Sequence, residues 1–281
     1  MKRIINLLFF VVLVALSSCR DKELDMTLVQ KTLYEGAVIN EITASEAWTV
    51  QVIQDENTFV ELEYSAFLED YLKVVTNGTA LQIGFTRHLY FPGNTVMNAT
   101  IHTPTVHKLS FSDAVFAALD NLNLETDLLL ELEDASTCRG GHFYGNAIIK
   151  LSDASTCADL YIEGTDCTVE LKDASVFKGS LNVSGFLTLT VEDASRLTEY
   201  WGEINQVEAE VSDASHLNMA TSWINRMHIE VSDASEATVN VVESLEGLVH
   251  DASKLYYSGN PTLNVDCDNT SILEQVEFPH P

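Results

Sequence analysis

The chain has 281 residues, of which 46% are apolar, and 42 acidic against 15 basic side chains give it a formal charge of −27. That length holds one large domain or two small ones. The acidity excludes nucleic acid as a partner, because phosphate neutralisation needs clustered Lys and Arg, and it excludes lying flat on an anionic bilayer. Solubility is its ordinary consequence, and affinity for cations or basic partners the sharper one.

The chain opens on Lys2 and Arg3, followed by an apolar run from Ile4 to Leu16. This is the layout of a secretory signal, and the run is too short for a comfortable membrane span. It ends in Leu16-Ser17-Ser18-Cys19, which resembles a bacterial lipobox. Residues 1–18 are therefore expected to be a lipoprotein signal peptide, with Cys19 lipidated and holding the mature chain to a membrane outside the cytoplasm. Residues 19–30 are charged and read as a tether. Their acidic residues are similar to the surface-export signals of Bacteroidetes lipoproteins.

Residues 31–108 read as β structure without a regular repeat, forming irregular early coils or a cap. "WTVQVIQ" and "ALQIGF" alternate, and "TNGT" marks a turn before the second. Between them, "LEYSAFLEDYLKVV" is expected to hold a helical turn or an irregular strand.

Residues 109–258 repeat. Aligned on one Asp, the copies sit at Asp113, Asp134, Asp153, Asp173, Asp193, Asp213, Asp233 and Asp251, at intervals of 21, 19, 20, 20, 20, 20 and 18. Ala follows each Asp, and Ser follows that Ala in all but the first copy, where Val115 stands. Two and four residues before the Asp the positions are apolar (Leu130 and Leu132, Val169 and Leu171), Gly247 being the exception, and the position just before it is polar. Period-two alternation marks a strand with one buried face. Helical solenoids need about 33 residues or more per unit. The chain is therefore read as all-β, a parallel β-helix whose coil is about 20 residues long and closes on Asp-Ala-Ser as its corner. Asp tolerates the left-handed conformation a corner demands and can accept the N–H two residues on in an Asx-turn. The Ala is expected to point inward, where a tight corner has room only for a methyl. Residues 259–281 are expected to close the far end as a cap or tail.

Four cysteines follow the lipobox. Cys138 and Cys157 fall in one column, within disulfide reach in an in-register stack. Two thiols filling an inward column is the slightly favoured alternative, and Cys167 and Cys267 are too far apart to pair.

The pattern resembles the Bacteroidetes family of lipoproteins described as "putative auto-transporter adhesin, head GIN domain". The resemblance runs from about Val38 to Tyr257, over "ITASEAWTVQVIQDENTFVELEYSAFLEDYLKVVTNGTALQIGF", "ATIHTPTVHKLSFSDAV" and the repeats, with Asn77-Gly78 and Thr103-Pro104 matching the family pattern. It implies a right-handed parallel β-helix and an adhesin role, with no catalytic residues to carry over. Family members often have Gly where this chain has the corner Asp.

The row Asp134, Asp153, Asp173, Asp193, Asp213, Asp233 and Asp251 is the one candidate ligand site. It reads first as a structural corner. Two other readings compete: a row of carboxylates sharing cations, with weak calcium binding, and a direct ligand site. Calcium needs roughly 6–8 oxygen ligands, more than one coil supplies. No metal site, cofactor or catalytic residue is expected: the carboxylates are near-identical, whereas acid and base roles need pKa values pushed apart. Ser215, His216 and Asp213 are neighbours in sequence but read as surface residues on one turn, and the remaining histidines lack ligand spacing. Exposed rings among Phe143-Tyr144, Tyr200-Trp201, Trp223 and Tyr256-Tyr257 would suit a sugar. The expected protein is a non-enzymatic, outer-membrane lipoprotein, anchored by lipid and possessing a binding surface for polysaccharide or a surface protein. A carbohydrate-active enzyme and a purely structural envelope protein are the alternatives.

Overall fold

The computed structural model describes residues 24–277; the signal-like segment and Cys19 lie outside them. The fold is a parallel β-solenoid with coils of about 20 residues. Its strands pair in the register the repeat dictates. Ahead of the corner, Leu109, Leu130, Ile149, Val169 and Leu189 stack in one column. Past it, Ala117, Cys138, Cys157 and Phe177 stack in another. All nine side chains are at most 1% exposed. Each fully buried Leu or Val contributes about 1.5–3 kcal/mol, and each coil gains it only against its neighbours.

The corner is built from two successive left-handed residues. φ is 52–57° at the eight Asp and 59–63° at the eight Ala. This conformation turns the Ala N–H along the solenoid axis, where it donates to the carbonyl of the next coil's Asp: Ala135 to Asp153 at 2.8 Å, Ala194 to Asp213 at 2.8 Å, Ala234 to Asp251 at 2.9 Å. The backbone ladder thus passes the bend unbroken. Both corner residues stand outward, so the Ala column is exposed, contrary to the inward position expected of it. Ser is the residue that re-enters the core, with Ser136, Ser155, Ser175, Ser195 and Ser215 each 0% exposed. A left-handed Ala costs about 1–2 kcal/mol that Gly does not. Ala214→Gly is therefore expected to stabilise the chain by about 1 kcal/mol, read as a rise in the melting temperature; a fall would refute the strain argument.

The N-terminal part contains a further copy of the corner. Strands Glu41–Ala44 and Thr49–Gln54 form a coil, with Glu46 (φ 70°) and Ala47 (φ 59°) in the places of Asp and Ala. Ala47 N–H donates to Asp113 O at 2.7 Å. The chain then leaves the repeat and lays Ala80–Phe85 and Met97–Thr103 parallel on the far side of this coil. Antiparallel strands finish that end: Leu72–Asn77 on Ala80–Phe85, Phe59–Ser65 on Met97–Thr103, and Leu28–Leu33 on Phe59–Ser65. "LEYSAFLEDYLKVV", expected to hold a helical turn or an irregular strand, holds the former, a 3₁₀ helix over Ala66–Tyr71 between two strands. At the other end Thr262–Cys267 and Ile272–Gln275 add one more parallel pair.

Candidate functional site

The corner Asp residues at 134, 153, 173, 193, 213, 233 and 251 are all exposed. Their carboxylates have little to do inside the fold. The Ser N–H that an Asx-turn would use is taken elsewhere: Ser195 N donates to Glu192 O at 3.1 Å and to Ser215 Oγ of the next coil at 3.2 Å. The same bond to the following Ser Oγ recurs at Ser175, Ser215 and Ser235, at 3.1–3.3 Å. In these coils the buried Ser, not the Asp, takes up the donors that the bend strands, while Ser155 Oγ and Ser175 Oγ have no partner. Where a partner reaches an Asp it is the preceding residue: Ser152 Oγ to Asp153 at 2.9 Å, Ser212 Oγ to Asp213 at 3.3 Å, His250 Nδ1 to Asp251 at 2.7 Å. His250 also lies 3.1 Å from Glu230, and the two carboxylates, Asp251 first, raise its pKa. Among the described residues no three His, Cys, Asp or Glu converge as metal ligands.

Ser215, His216 and Asp213 do not form a triad. Ser215 is buried with its Oγ accepting Ser195 N–H, while His216 and Asp213 are exposed on the outside. Cys138 and Cys157 are both free, buried thiols in register. A hydrogen bond from Cys138, with burial, raises Cys157 well above the ordinary thiol range, and burial alone pushes Cys167 up to about 12. These are packing residues, inert as nucleophiles.

One carboxyl breaks the pattern. Glu199 ends the strand Arg196–Glu199 at an inward position, beside Gly179 in the preceding coil. It is 2% exposed; its Oε1 accepts Leu181 N–H at 3.1 Å, and its Oε2 has no partner. Burial raises its pKa to about 8. It faces the core, so it is not placed to act on a substrate.

A second bend lies at the other end of the strand that leads into the Asp-Ala-Ser corner (Leu128–Leu132, Ala147–Leu151, Cys167–Leu171), and it was not read from the sequence. Here a side-chain oxygen of each coil accepts a backbone N–H of the next: Asp127 from Asn146 at 2.8 Å, Asn146 from Asp166 at 2.9 Å, Asp166 from Phe186 at 3.0 Å. The signal was present, since Asp127, Asn146 and Asp166 each directly precede a strand at the coil interval. The bend is tight. A Cβ on Gly145 would lie 2.5 Å from Thr126 O, and one on Gly164 would lie 2.3 Å from Gly145 O. A polar trough runs along the solenoid at this bend, floored by Gly145 and Gly164 in its first stretch and by Val183 and Ile204 in its second. Its first stretch is lined by Tyr144, Asn146, Glu163 and Asn182, and its second by Asn182, Glu203, Asn205 and Trp223. Of the rings singled out in sequence, Phe143 is buried, Tyr256 and Tyr257 are half-buried, and Tyr144 (40%), Tyr200 (45%), Trp201 (40%) and Trp223 (48%) are exposed. Tyr161, half-buried, lies beside them, its ring centroid 6.2 Å from Tyr144 and 5.3 Å from His142.

The family described as "putative auto-transporter adhesin, head GIN domain" matches residues 39–261. The chain belongs to this family. The head GIN domain fold is also seen in a solved structure titled as a putative adhesin from Parabacteroides distasonis. It superposes with a TM-score of 0.66 at 14% identity, over 90% of this chain and 98% of that one. A second, from Parabacteroides merdae, gives 0.55 at 10% identity over 89% and 97%. At these identities the likeness speaks for the fold alone. No curated protein matches the chain. The head GIN domain here differs from a strictly uniform solenoid mainly at its capped N-terminal end, at Glu199 and along the trough.

Proposed function

We propose that this head GIN domain protein is a cell-envelope lipoprotein, lipidated at Cys19, that presents its solenoid as a non-enzymatic binding surface for glycan or envelope partners. What supports this reading is the uniformity of the corner, with Asp and Ala exposed in each of its eight copies. Catalysis needs unlike groups pushed apart in pKa on a shared face; of the two strongly shifted carboxyls among the described residues, Glu199 points into the core, and Asp268 is held low chiefly by a hydrogen bond from Ser271 in the last turn. The exposed Asp row serves as a spacer-like outer edge, left-handed by need and charged for solubility.

Cells expressing the chain are expected to retain it in the outer-membrane fraction and to attach to glycan-coated surfaces. Cys19→Ala cells should shed the protein and attach less. Release of reducing ends from any polysaccharide by the purified chain would overturn the non-enzymatic reading. An unchanged membrane fraction for Cys19→Ala would overturn the anchor.

A further inference from the structure

The trough at the second bend is a candidate site of its own. Tyr144 pairs with Glu163, Glu163 with Asn182, and Glu203 with Trp223, while Val183 pairs with Ile204 and so aligns Asn182 with Glu203. These five side chains therefore form one outward column over five consecutive coils. Four strand spacings separate Tyr144 from Trp223, about 19 Å. An aromatic ring stands at each end of the column, and carboxylates and an amide lie between. The opposite wall repeats the polar character with Asn146, Thr165, Ser184, Asn205 and Asn225.

We propose that this trough binds an extended, uncharged glycan chain along the solenoid axis, with Tyr144 and Trp223 stacking on sugars at its two ends. This rests on the binding-surface reading given above. Three observations choose the ligand class. Both rings are at least 40% exposed and amphipathic, suited to a sugar face that is apolar on one side and hydroxylated at its rim. The lining between them is Asn, Ser, Thr and Glu, which match hydroxyls as donors and acceptors. No Lys or Arg lines either stretch, whereas Asp127, Glu163 and Glu203 do, so uronate and sulfated chains are repelled. A polypeptide fits less well. The strands beneath the trough pair on both sides, which leaves no edge for an added strand, and the lining offers no row of apolar pockets.

The test is binding of the purified full chain to linear glucan, mannan and galactan oligosaccharides, with polygalacturonate and heparin fragments as charged probes. Neutral chains are expected to bind and charged ones not. Tyr144→Ala and Trp223→Ala should each weaken binding about tenfold or more, with both variants still fully folded at the assay temperature. Phe116→Ala, an exposed ring away from the trough, should leave it unchanged. Preference for the charged fragments, equal binding by the Tyr144 and Trp223 variants, or no binding to any neutral chain would each overturn the assignment. Attachment of cells to protein-coated or glycan-coated surfaces is scored in parallel. If both trough variants attach as well as the parent, the trough assignment fails and the binding-surface reading stands; if the parent does not attach at all, the broader reading fails.

Discussion

Raising the pH from 5 to 8.5 is expected to cost this protein stability, and Glu199→Gln is expected to abolish most of that loss. The sign follows from the direction of the shift. Burial raises the Glu199 carboxyl from an ordinary 4.5 to about 8 in the folded chain, while the unfolded chain titrates normally. Below about pH 4.5 both states hold the proton and Glu199 makes no difference. Between 4.5 and 8 only the folded state holds it, so stability falls as pH rises, by about 1.4 kcal/mol per unit. The full window from 4.5 to 8 is worth about 5 kcal/mol. Gln keeps an oxygen for the Leu181 N–H and carries no charge into the core at any pH. Denaturant unfolding at pH 5 and 8.5 measures the effect. His250, whose pKa is also raised, loses stability as pH rises in an overlapping range, so the informative quantity is the difference between parent and variant. Equal pH slopes for the two would show that the buried carboxyl is not the cause.

Glu199 also shows how far the sequence could be read. In most copies the inward positions fall two, four and six residues after the corner Asp, as Ser195, Leu197 and Glu199 do after Asp193; after Asp153 a bulge leaves Asp159 outside and brings Leu160 in. The count that predicted the Leu197 column points to an inward Glu199, but Asp159 is a charged side chain at the same count and stays outside, so the count alone does not separate the two. The stacked strands were legible because alternation and interval act locally and repeat. The conformation of the corner was half legible. Asp is a known visitor to the left-handed region, but Ala is not, and Ala enters it because stacking the next coil's hydrogen bond outweighs the local preference. The Glu46-Ala47 corner was hidden because the 55–107 excursion breaks the interval and Trp48 replaces the Ser. The trough was illegible for a different reason. Its walls come from five coils, and only their register brings Tyr144 into line with Trp223.

The most damaging single substitution is expected at Gly247. It occupies the column that holds Leu189, Ala209 and Ile229 in the preceding coils, and the sequence marks it as the one position there that is not apolar. Its φ is +143°, which side-chain-bearing residues rarely adopt, and a Cβ built on it would lie 1.8 Å from Ile229 O and 2.7 Å from Ile229 C. Neither neighbour is a flexible tip; both are backbone of the paired strand. Gly247→Ala must therefore push Glu236–Val249 away from His216–Val231 or change its backbone path. Backbone strain of this kind costs about 1–3 kcal/mol, and overpacking adds a similar amount. Because a solenoid coil is held only by its neighbours, the loss should be local. Hydrogen exchange is expected to quicken by two orders of magnitude or more over residues 236–275, with the amides of Leu128–Leu132 and Ala147–Leu151 unchanged. Exchange that quickened equally along the whole stack would mean that the coils unfold as one unit, and the nearest-neighbour account of this solenoid would have to be given up.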